Sequence, residues 1–115
     1  MENKPSTKQP VLTHVTYMPK KGKEKELGEL VKKHWPVLHK AGLTTDEPAK
    51  IWQAHDHRTG RTYFIELYSW IDADAPRVAH ELPEVMAVWE PMGNIMEGYN
   101  GTPSPIAIAQ LTPLT

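Results

Sequence analysis

Glu66 is the one carboxylate inside an otherwise apolar run, Tyr63-Phe64-Ile65-Glu66-Leu67-Tyr68-Ser69-Trp70. Alternation along a strand places it on one face with Phe64, Tyr68 and Trp70. Burial penalises the charged form of a carboxyl group, and such a group is suited to general acid or base work. The structural alternative is a salt bridge to a His or Lys across the sheet or across a subunit interface. His80 follows ten residues after Trp70, early in a helical stretch. There it would face a pocket between helix and sheet as a base or hydrogen-bond donor, or serve as a packing or capping histidine. His14, beside Leu12 and Thr16 on the first strand, is a third candidate with the same alternative.

The other histidines carry less. His55 and His57 share a strand face only if the strand extends that far. His34 and His39 are five apart on a helix and do not share a face well, and no HExxH or HxxEH spacing occurs. No metal site is expected. Trp35, Trp52, Trp70 and Trp89 fall on helix one, strand two, strand three and helix two. With Tyr68 they would wall an apolar cavity for a flat ligand, or else form an ordinary core. No nucleophile elbow, phosphate loop or dinucleotide fingerprint is present, which argues against hydrolase and nucleotide-cofactor chemistry.

These residues need elements to position them. The 115 residues fit one domain, with 1–10 a polar, flexible arm and 11–115 the folded part. A net charge of −1 with both signs interspersed gives no footprint for nucleic acid or an anionic membrane. The absence of cysteine removes disulfides, thiolate metal sites and cysteine nucleophiles. No apolar run spans a bilayer and the N-terminus lacks an apolar signal region, so a cytoplasmic location is expected. Four Trp and four Tyr against one Phe suit pocket walls and subunit interfaces, and also ordinary cores, which are their commoner setting.

Periodicity predicts a strand over Val11–Met18, with Val11, Thr13, Val15 and Tyr17 on one face. A turn at Pro19-Lys20-Lys21-Gly22 leads to a helix over 23–40, carrying the stripe Leu27, Leu30, Val31, His34, Trp35 and Leu38. Pro36 is expected to kink it and Gly42 to end it. Strands follow over 49–56 and 63–70, joined by the polar loop 56–61. Asp74 is the expected N-cap of the next helix, which Pro83 interrupts before a stretch to Glu97. Residues 106–111 make a short last strand. The order β-α-β-β-α-β is the ferredoxin-like arrangement, an α+β fold with an antiparallel sheet. Both helices would cover one face, yet strand three is apolar on both. A second copy packed sheet to sheet would cover the other, giving a homodimer.

The sequence resembles the dimeric α+β barrel proteins of the antibiotic biosynthesis monooxygenase type. The resemblance rests on Pro19-Lys20-Lys21-Gly22-Lys23-Glu24 entering helix one, on Trp70-Ile71-Asp72 closing the hairpin, and on His80 before Pro83-Glu84. It implies the dimeric barrel fold and, as an activity, cofactor-independent oxygenation of an aromatic or quinone-like compound. His80, His14 or Glu66 would then take a proton from a phenol, leaving a carbanion that reacts with oxygen. The haem-degrading branch is not implied. Its strand-one Asn has no counterpart in Val11–Met18, and its Trp and His positions fall near Ala79 and Trp89. A non-catalytic binding or structural dimer is the alternative, and no cofactor is expected in either case.

Overall fold

The computed structural model describes residues 9–115; the expected arm therefore lies outside the described residues except for Gln9 and Pro10. The elements are β1 (Val11–Tyr17), α1 (Glu24–Lys40), β2 (Lys50–His55), β3 (Thr62–Trp70), α2 (Ala75–Ala79), α3 (Pro83–Ile95) and β4 (Ala107–Gln110). All pairings are antiparallel and the sheet order is β2-β3-β1-β4, with the long strand β3 beside β1 at the centre. This is the α+β, ferredoxin-like arrangement that the element order predicts.

Register decides which side chains meet the helices. Thr13, Val15 and Tyr17 of β1 stand opposite Tyr68, Glu66 and Phe64 of β3. All six are buried, and they form the helix-facing side of the sheet. The other side carries Leu12, His14 and Thr16, with Ile65, Leu67 and Trp52 on the neighbouring strands.

Helix α1 lies on the sheet through Leu27, Val31 and Leu38, all fully buried. Burying each such side chain is worth about 1.5–3 kcal/mol. The helix comes close because Gly28 faces the Phe64 ring, where a Cβ would sit 3.2 Å from Cζ. It ends at Gly42 (φ +79°). The Gly42 amide donates to His39 O and the Leu43 amide to Leu38 O, a Schellman ending in which buried Leu43 follows buried Leu38.

The start of α2 differs from expectation in one respect. Asp74 occupies the N-cap position but its side chain makes no cap bond. Asp72 Oδ1 instead accepts from the amides of Asp74 (2.9 Å) and Ala75 (3.0 Å). Asp72 lies just past the end of β3, so its carboxylate reaches the free amides of the first turn from outside the helix.

After α3 the chain is tied back to β1. Lys20 N donates to Ile95 O and Glu97 N to Met18 O, while Arg61 Nη2 bonds both Pro19 O and Glu97 Oε2. A short strap, residues 98–105, then returns to β4, and its Pro103 packs against Gly93 of α3. None of the helices is long and apolar enough to cross a membrane, among the described residues.

Candidate active site

The alternation of β3 sends Glu66 inward beneath α1, where it is 0% exposed. Its Oε1 accepts two hydrogen bonds: from the Tyr17 hydroxyl at 2.6 Å and from His34 Nδ1 at 2.8 Å. Tyr17 reaches it from β1, and His34 from the buried stripe of α1. On the far side of the imidazole, Trp89 Nε1 of α3 donates to His34 Nε2 at 2.8 Å.

An indole nitrogen can only donate, so His34 Nε2 must be the unprotonated nitrogen. The proton therefore sits on Nδ1 and points at Glu66. A doubly protonated imidazole would oppose two donors across the Trp89 contact. The ring is further fixed by edge-on Tyr68 at 5.6 Å. Four side chains from β1, α1, β3 and α3 thus form one hydrogen-bonded chain, Trp89–His34–Glu66–Tyr17. The Glu66 Oε2 atom takes no hydrogen bond from any described residue.

Above this chain lies a cavity of about 830 Å³ between the sheet and helices α2 and α3. That is ample for a multi-ring organic molecule. Tyr17 and His34 form part of its floor, and Tyr68, Trp70 and Trp89 its aromatic walls. Met86, Met92 and Met96 supply pliable apolar surface. His80 and Glu90, both exposed, stand at its edge, and the His80 ring meets the Trp89 ring at 4.8 Å. Pro103, Ser104 and Pro105 of the strap close another side.

Burial is the main force on the two phenols. It raises the pKa of Tyr17 well above the usual tyrosine range, with the Glu66 charge adding to the effect. Tyr68 is raised too, by burial first and Glu66 second. Both stay protonated at neutral pH and serve as donors, not as phenolates.

The candidates from the sequence divide accordingly. Tyr68, Trp70, Trp89 and His80 line the cavity. Glu66 does not line it; it sits one layer deeper, behind Tyr17 and His34. Its expected partner across the sheet or the subunit interface is instead His34, from the helix overhead. Three expectations need correction. His14 projects from the opposite side of the sheet, because it is one residue out of step with Thr13 and Val15. Trp52 is opposite Ile65 on that same far side and 49% exposed. Trp35 stacks on His39 at 4.5 Å on the flank of α1, away from the cavity.

His34 and Tyr17 are the residues that sequence reasoning passed over as site members. Each showed only as one position in an apolar pattern. The available signal was that each is a polar-tipped member of an otherwise apolar stripe. Among the described residues no group of three or more His, Asp or Glu is placed to hold a metal. His55 and His57 meet only each other, edge to face at 6.4 Å, and His39 pairs with Asp46.

No protein-family model matches the chain, and no curated protein does. Solved structures do. SnoaB, a cofactor-independent oxygenase from Streptomyces nogalater, is 11% identical with a TM-score of 0.64, over 93% of this chain and 95% of that one. PA3566 from Pseudomonas aeruginosa is 11% identical with a TM-score of 0.65, over 96% of this chain and 100% of the other. Rv0793 from Mycobacterium tuberculosis is 13% identical with a TM-score of 0.63, over 93% and 97%. Further matches include candidate antibiotic biosynthesis monooxygenases. At these identities the likeness is one of fold: the chain shares the ferredoxin-like α+β fold of these proteins.

Proposed function

We propose that the protein is a small-molecule enzyme that removes a proton from a hydroxylated aromatic compound and lets the resulting carbanion react with dioxygen. The observation that carries this reading is the Trp89–His34–Glu66–Tyr17 chain at the floor of an aromatic cavity. Glu66 is the proton acceptor and Tyr17 the relay. Since burial opposes a standing phenolate at Tyr17, its oxygen takes the substrate proton as its own proton passes to Glu66 Oε1. His34 holds Glu66 through Nδ1–H and is itself held in one tautomer by Trp89.

The carbanion then gives electrons to dioxygen. A C–O bond forms, Glu66 returns its proton through Tyr17 to make a hydroperoxide, and loss of water leaves a ketone. In sum, an activated CH₂ and O₂ become C=O and H₂O. SnoaB is named a cofactor-independent oxygenase, and the shared fold supports the same class here. His80 at the cavity edge contacts the incoming ligand and is not needed as the base.

The working unit is a homodimer joined through the outer sheet face. Leu12, Trp52, Ile65 and Leu67 give that face an apolar surface, and a second copy of the same sheet is self-complementary to it. The test is oxygen consumption with a panel of anthrones and naphthols. Glu66→Gln is expected to lower kcat by about 10²–10⁴. Retention of wild-type turnover by that variant would overturn the assignment.

A further inference from the structure

The proton relay leaves the sulfur atoms of the cavity unused. The chain has five methionines and no cysteine, so thioethers are its only sulfur nucleophiles. Met86 and Met92 of α3, with Met96 at its C-cap, all line the cavity. They differ in access. Met92 is 1% exposed and Met96 6%, whereas Met86 is half-buried. Met18, also half-buried, lies just past the end of β1 and does not line the cavity.

A thioether wall can do more than pack. Its sulfur is soft and polarisable, and its lone pair attacks the distal oxygen of a hydroperoxide. The O–O bond breaks, the distal oxygen stays on sulfur, and its proton passes to the departing alkoxide. The hydroperoxide takes an electron pair from sulfur and becomes an alcohol, while methionine becomes its sulfoxide. The neighbouring phenols of Tyr17 and Tyr68 hold their protons and do not compete as nucleophiles. Access then selects among the sulfurs. A sulfoxide oxygen needs hydrogen-bond donors, and deep burial at Met92 keeps water from supplying them. At half-buried Met86, water reaches the new oxygen.

We propose that Met86 is an oxygen-accepting modification site for an organic hydroperoxide held in the cavity. The inference rests on the cavity being where the proposed hydroperoxide forms, and it gives that intermediate a second fate. Transfer of its distal oxygen to Met86 leaves an alcohol, where loss of water leaves a ketone. The sulfoxide puts a polar group into an apolar wall, so each transfer weakens the cavity for the next apolar ligand. Methionine sulfoxide reductases reverse the change. Met86 is thus a turnover-linked brake on the site.

The experiment follows oxidation of each methionine in the folded chain and in the same chain unfolded in urea, read by peptide mass spectrometry. The oxidants are cumene hydroperoxide, which carries an aryl group, and hydrogen peroxide, which does not. Folding ordinarily shields methionine. The expected result is that cumene hydroperoxide oxidises Met86 about 10-fold faster in the folded chain than in the unfolded one, because binding holds the peroxide beside the sulfur. Hydrogen peroxide should oxidise Met86 more slowly in the folded chain, and Met18 should be slower there with both oxidants. Met86 reacting no faster on folding with cumene hydroperoxide, or faster with both oxidants, would overturn the site. A last arm supplies anthrone and dioxygen with no added peroxide. Met86 sulfoxide that forms only when both are present supports transfer from the intermediate. If cumene hydroperoxide oxidises Met86 in the expected way and this arm does not, the oxygenase reading fails and the methionine site stands.

Discussion

Trp89 Nε1 donates to His34 Nε2 at 2.8 Å, and this one bond dictates which nitrogen of the imidazole faces Glu66. Because indole has no acceptor at that atom, it works as a tautomer lock applied from α3 to a residue on α1. Trp89→Phe keeps the ring and removes the donor. It is expected to cost about 1–2 kcal/mol, since a buried nitrogen loses its partner. Nitrogen-15 NMR of the His34 ring should show a single Nδ1–H tautomer in the wild type and a mixture in the variant. A single unchanged tautomer in both would show that Trp89 does not set it.

Glu66 tolerates little. Glu66→Lys places an ammonium in a site that is fully buried, opposite the Tyr17 and His34 donors. Such an unpaired charge is expected to cost about 3–5 kcal/mol or to prevent folding. Glu66→Gln keeps an acceptor for Tyr17 and His34 and should cost about 1–3 kcal/mol. Urea denaturation of the two variants checks the ordering.

Alkaline pH should act through the two buried phenols. Tyr17 and Tyr68 hold their protons in the folded chain, whereas the unfolded chain releases them near pH 10. Their contribution is fully present below about pH 10 and falls above it, by about 1.4 kcal/mol per pH unit for each tyrosine. Stability should be nearly flat near pH 9, begin to fall around pH 10 and approach that slope by about pH 11.5. Tyr68→Phe removes one of the two contributions and should make the decline shallower.

The strap depends on Gly98. A Cβ there would run into the backbone oxygens of Thr102 and Ser104, which cannot swing aside as a side chain would. Gly98→Ala is expected to cost about 1–3 kcal/mol and to disturb the wall made by Pro103–Pro105. Loss of probe binding together with a lowered melting point would mark the strap as part of the cavity.

The outer sheet face offers a separate check on assembly. Sedimentation of the wild-type chain at micromolar concentration should give about 26 kDa, twice the 13.0 kDa subunit. Leu67→Lys, on that face, should give a monomer. A wild-type monomer would contradict a sheet-to-sheet dimer.

Much of this architecture was legible in the chain. The period of Leu27, Val31 and Leu38 marks α1, and the alternation through Phe64, Glu66 and Tyr68 marks β3, because each element buries a single regular face. The inward face of β1 was not legible. His14 and Thr13 are equally compatible with either side until the register with β3 is known, and a one-residue shift exchanges the two faces. The Glu66–His34 pair was hidden for another reason. It joins residues 32 apart through the crossing of helix over sheet, and helix periodicity alone places His34 in the core without naming what it touches. Trp52 failed as a pocket residue because β2 is an edge strand whose far side the helices do not cover.

The most direct test of the relay separates proton removal from the oxygen step. Anthrone has an acidic CH₂, and its exchange with deuterium oxide can be followed by mass spectrometry with oxygen excluded. The wild-type chain is expected to accelerate exchange over buffer, and Glu66→Gln and Tyr17→Phe each to reduce that acceleration about 100-fold or more. Exchange at the wild-type rate in Glu66→Gln, with anthrone still bound, would contradict it.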